Sequence, residues 1–78
     1  MIIELDEEDE LEDMKSFTKE KLSNTIFMNN YFHKIGPKEL YDISILSYLG
    51  KGSESYVFKS INNKTNKIMA LKIIEKKK

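Results

Sequence analysis

From Tyr41 onward, apolar and polar positions alternate with a period of two. The run Tyr41-Asp42-Ile43-Ser44-Ile45 predicts a half-buried strand that continues to Leu49. Gly50-Lys51-Gly52-Ser53-Glu54 interrupts it, and Tyr56-Val57-Phe58-Lys59-Ser60-Ile61, rich in aromatic and β-branched residues, predicts a second strand. Asn62-Asn63-Lys64-Thr65-Asn66 is turn chemistry, because asparagine tolerates the left-handed backbone region. Ile68-Met69-Ala70-Leu71-Lys72-Ile73-Ile74 predicts a third strand, apolar on both faces. Such a strand calls for cover on both faces and a neighbour at each edge. With nothing after Lys76-Lys77-Lys78 to pair with it, the expectation is an open, aggregation-prone edge.

The first half patterns differently. Between Lys15 and Lys38 the apolar residues Phe17, Leu22, Ile26, Phe27 and Phe32 are scattered, and only pieces such as Leu22/Ile26 keep helical spacing, so one or two short helices are expected. Gly36-Pro37 closes this zone, since Pro restricts the residue before it. Met1–Met14 holds eight acids and no base, and like charges at that density favour a solvated, disordered segment. The expected organisation is an acidic, then polar arm over residues 1–38 and a β-rich unit over 39–78. The fold class is therefore α+β: three antiparallel strands preceded by a largely disordered or partly helical arm.

Charge and composition narrow the chemistry. Net charge is zero, yet the chain after Met14 sets its five remaining acids against all 13 lysines, and there is no arginine. Bidentate readout of bases and phosphates favours arginine, which with the acidic arm argues against nucleic acid as partner. Without cysteine there is neither a disulfide nor a thiolate metal site, and a single histidine, His33, rules out histidine clusters and histidine-based triads. No metal site is expected. No apolar run approaches the roughly 20 residues that span a bilayer, and acids follow the first three residues at once, unlike a secretory signal. The expectation is an intracellular, cytoplasmic protein that makes no membrane contact.

The candidate chemistry lies in Gly50-Lys51-Gly52 and the strand beyond it. Glycines let backbone N–H groups approach an anion closely. A Walker-type loop would need Lys-Ser/Thr after the second glycine, where Ser53-Glu54 stands, and a dinucleotide fingerprint would need a helix where Tyr56-Val57-Phe58 reads as strand. Residues two apart in a strand share a face, so Ala70 and Lys72 point the same way. If that face lies under the glycine loop, Ala70 leaves room for a flat base and the Lys72 ammonium reaches phosphates as a point charge. Val57 and Leu49 would complete an apolar slot.

Taken together, Leu49-Gly50-Lys51-Gly52-Ser53-Glu54-Ser55-Tyr56-Val57-Phe58 followed by Met69-Ala70-Leu71-Lys72-Ile73-Ile74 resembles the opening of a eukaryotic protein kinase domain, whose pattern is G-x-G-x-x-G-x-V and then V-A-I-K. The resemblance covers about half the chain. It implies a truncated kinase N-lobe in which Gly50, Lys51, Gly52, Ser53 and Glu54 cover the phosphates of ATP. Leu49, Val57 and Ala70 would then sandwich the adenine, and Lys72 would contact the α- and β-phosphates. Two positions depart from the pattern: Ser55 replaces the third glycine, and Glu54 puts a negative charge near the phosphates. Both weaken nucleotide binding and suit a divergent kinase or a pseudokinase.

The parent such a fragment implies would transfer the γ-phosphoryl group of ATP to a protein Ser/Thr hydroxyl. It would need magnesium, a helix-borne Glu paired to the strand lysine, an H-R-D loop and a D-F-G aspartate. The 78 residues contain neither H-R-D nor D-F-G, so no catalytic residue is assigned, and protein substrate would be met only through a C-lobe not contained in this chain. The expected partner is ATP. The alternatives are a short non-catalytic, kinase-derived binding module and a plain three-stranded β-module with a GxG turn.

Overall fold

The computed structural model describes residues 1–6 and 14–76 of the chain. Four strands form one mixed sheet: β1 (Ile2–Asp6), β2 (Ile43–Lys51), β3 (Ser55–Asn62) and β4 (Lys67–Lys76), in the spatial order β1-β4-β3-β2. The antiparallel meander β2-β3-β4 matches the three strands expected from the alternation. The fourth strand corrects the disordered acidic arm. Ile2–Asp6 runs parallel to β4, Ile2 opposite Lys72 and Asp6 opposite Lys76, so the edge expected to be open is paired. The rest of the acidic tract, residues 7–13, lies outside the described residues.

The physical reason for β1 is its own short alternation. Ile3 and Leu5 are buried on the inner face of the sheet, while Ile2 and Glu4 point outward. Backbone bonds complete the attachment: the Lys72 N–H donates to the Met1 carbonyl at 2.9 Å, and the Met1 ammonium donates to the Ala70 carbonyl at 2.9 Å.

One face of the sheet is covered by two helices, α1 (Lys19–Ser23) and α2 (Thr25–Ile35). Polar caps start both. The Thr18 hydroxyl accepts from the Lys21 N–H, and the Asn24 side chain, at the junction of the helices, accepts from the Phe27 N–H. Gly36 ends α2 with its N–H on the Phe32 carbonyl. A Cβ at Gly36 would collide with that carbonyl and lie 2.7 Å from the Leu40 Cδ1, so the chain needs glycine there for the close approach.

Phe32 and Met28 of α2 descend onto Phe58, Ile43 and Ile45, with Phe32 and Phe58 edge-to-face at 5.6 Å. Met14, Phe17 and Leu22 close the core at one end and Leu71 and Ile73 underlie it. The inward carboxylate of Glu75 accepts from the Met14 N–H at 3.2 Å, which pins the turn at Met14–Ser16 to the end of β4.

Edge strand β2 is guarded by helix α2. The Asn29 side-chain amide binds both backbone groups of Ile45, accepting its N–H at 2.7 Å and donating to its carbonyl at 3.2 Å. His33, one turn on, lies 3.4 Å from the Ile43 carbonyl. Register shifts between Ile45 and Ser47 and between Tyr48 and Gly50 distort the remainder. Blocked and bulged edges of this kind resist pairing with other chains. The β3–β4 turn is built as expected: Asn66 sits at φ 58°, and the Asn62 side chain accepts from the N–H groups of Lys64 and Thr65.

Candidate functional site

The face of the sheet away from the helices is open, and the register places the candidate residues on it row by row. In one row Ile2, Lys72, Val57 and Gly50 stand opposite one another across all four strands. The next row sets Ala70 beside Lys59, and the one beyond sets Ile68 beside Ile61. On the other side Ile74 lies between Glu4 and Ser55. Ala70 and Lys72 are exposed, Val57, Ile61 and Ile74 half-buried, and Ile2 and Ile68 are 65% and 60% exposed. The surface is thus an apolar platform carrying two cations, Lys59 and Lys72, with the acid Glu4 at its β1 edge.

Of the residues singled out in the sequence, Gly50, Val57, Ala70 and Lys72 come together here. Leu49 and Lys51 do not join them. Leu49 sits at the second irregularity of β2, 59% exposed, and lines a groove against α1. The Lys51 ammonium lies 5.9 Å over the ring of Tyr56, whose side chain is buried on the helix side. Ser53 and Glu54 form the exposed tip of the β2–β3 hairpin.

That tip is a tight turn. The Gly52 N–H donates to the Ser55 carbonyl at 2.8 Å, and a Cβ on Gly52 would meet the Ser55 hydroxyl at 2.7 Å. No glycine has positive φ, so the successive N–H groups do not alternate between right- and left-handed residues as an anion nest requires. The Glu54 carbonyl accepts from the Glu75 N–H at 3.3 Å, tying the tip to the end of β4. In this conformation the Gly52 N–H, one of the phosphate-facing donors expected of the loop, is engaged within the hairpin.

Among the platform residues not singled out in the sequence are Lys59 and Ile2. Lys59 was signalled by its period-two spacing from Val57, and Ile2 by its alternation with Ile3, a signal overshadowed by the acids that follow. Among the described residues no group of three or more His, Asp or Glu side chains could hold a metal, and no helix is long and apolar enough to cross a membrane. Compared with protein-family models, with curated proteins and with solved structures, the chain matches none.

Proposed function

We propose that the open sheet face binds an adenine nucleotide and that the chain is the ATP-binding N-terminal portion of a protein kinase, working in the cytoplasm. The observation that carries this reading is the shared row of Gly50, Val57 and Lys72, with Ala70 one step along the same face. Val57 and Ala70 make a low apolar bed for a flat base. Lys72 lies two residues from Ala70, about 7 Å along the strand, a separation that suits a base at one end and phosphate at the other. Lys59, opposite Ala70, adds a second cation within reach of a polyphosphate.

The parent's chemistry on this reading is γ-phosphoryl transfer to a Ser/Thr hydroxyl. The residues present here supply binding and orientation; the magnesium ligands and the base are not among the 78. A second reading, a kinase-derived module that binds a partner without nucleotide, draws on a different observation: the tip of the glycine hairpin is closed by its own Gly52–Ser55 bond.

Titration of the full chain with ATP, followed by amide shifts, separates the two. The nucleotide reading expects saturable shifts at Val57, Ala70 and Lys72 with a Kd on the order of 1 mM, weakened about ten-fold in Lys72→Ala. Affinity unchanged in Lys72→Ala, or no shift on this face at high millimolar ATP in a chain that still unfolds cooperatively, would leave the module reading standing instead.

A further inference from the structure

On the other side of β2 an open groove of about 550 Å³ separates the strand from α1. Phe17, Leu22, Tyr48 and Leu49 form its apolar walls, Gly50 leaves a gap in one of them, and Lys19 and Lys51 stand at its margins. No acid lines it. We infer that this groove is a binding site for a small amphipathic monoanion, an aryl or alkyl carboxylate, that shares only Gly50 with the nucleotide face and is independent of that reading.

The walls are fixed before any ligand arrives. Phe17 is buried, packed edge-to-face on Phe27 at 5.3 Å and on Tyr31 at 5.0 Å, and covered by the Lys21 ammonium. Tyr48 leans on Phe58 at 5.5 Å. Leu49 is the exposed exception: a large apolar side chain at a strand irregularity, turned to the groove where a ligand's apolar body would cover it. The volume lies within the range of small-ligand pockets, which pair apolar walls with a few charged groups that fix orientation.

The choice of anion follows from the donors. Phosphate is best held by a nest of backbone N–H groups, which needs a residue of positive φ, and none of the lining residues has one. Two side-chain ammonium groups without such a nest suit a single carboxylate. Lys51 is held on this side of the strand by its position over Tyr56, so its charge is available to the groove and not to the open face.

The test is titration of the full chain with 1-naphthoate, against the neutral isostere 1-naphthamide and against acetate, read by amide shifts. Saturable shifts from naphthoate at Leu22 and Tyr48–Lys51 are expected, weakened about five-fold in the double variant Lys19→Gln/Lys51→Gln, as two partly exposed ion pairs would be. Leu49→Glu, at an exposed position that spares the core, should abolish binding through like charge and lost apolar cover. Lys72→Ala should leave naphthoate affinity unchanged, so failure of the nucleotide reading and failure of this one are distinguishable. Equal affinity for naphthamide, the same shifts from acetate alone, indifference to the double variant in a chain with unchanged thermal unfolding, or shifts centred on Val57 and Lys72 would each overturn the assignment.

Discussion

The two faces of the sheet are made by the same strands and are both rich in apolar residues, yet only one is closed. On the inner face Tyr56, Phe58, Leu71 and Ile73 are buried beneath the helices and their approaches. On the outer face the alternating partners Val57, Ala70, Lys72 and Ile74 stay half-buried or exposed. A strand apolar on both faces, such as β4, ordinarily calls for cover on both sides. The outer face combines that demand for cover with two lysines at its centre, and stacking a second identical face there would set four ammonium groups together. Burial on one side holds the fold, while the same strands leave the other side open.

The largest expected contrast is between adjacent residues of β3. Phe58→Ala should cost about 3–5 kcal/mol, enough to remove the cooperative urea transition from a chain of this size. Val57→Ala, one residue away on the open face, should cost about 1 kcal/mol. Equal losses would mean that the outer face is also packed.

Strand β1 offers the same contrast at an edge. Ile3→Asp would bury an unpaired charge against the core and should cost about 2–4 kcal/mol, with loss of hydrogen-exchange protection at the Lys72 amide, which bonds to Met1. Ile2→Asp, on the outer side of the same strand, should stay within about 0.5 kcal/mol and keep that protection. If both variants leave the Lys72 amide protected, β1 does not hold the edge of β4.

A smaller effect is expected at the opposite edge. Asn29→Leu strips the Ile45 N–H and carbonyl of the side-chain partners seen at 2.7 and 3.2 Å and should cost about 1–3 kcal/mol, together with a rise in self-association at high concentration. Stability and a monomeric state both unchanged in this variant would mean that the register irregularities alone protect β2.

Much of the meander was legible along the chain. The alternation after Tyr41, the aromatic and β-branched run at Tyr56–Ile61 and the asparagine-rich turn each specify local geometry, because period two and a left-handed asparagine are properties of neighbouring residues. The shared face of Val57, Ala70 and Lys72 was legible in part: alternation puts Ala70 and Lys72 together, but only the β3–β4 register sets Val57 against Lys72. Leu49 was misassigned to that face because the strand irregularity between Tyr48 and Gly50 breaks the alternation on which the reading relied.

By itself, the order of residues determined three strands, two turns and a lysine that shares a face with a small alanine. Tertiary structure decided that the short alternation of Ile2–Asp6 would become a strand. Five residues followed by a dense acidic run carry too little local preference, and their parallel partner lies 70 positions along the chain. It also decided which face would be closed. β4 is apolar on both sides, and the helices settled on the one where Phe32 and Met28 could meet Phe58, because aromatic burial there outweighs any contact available beside Lys59 and Lys72.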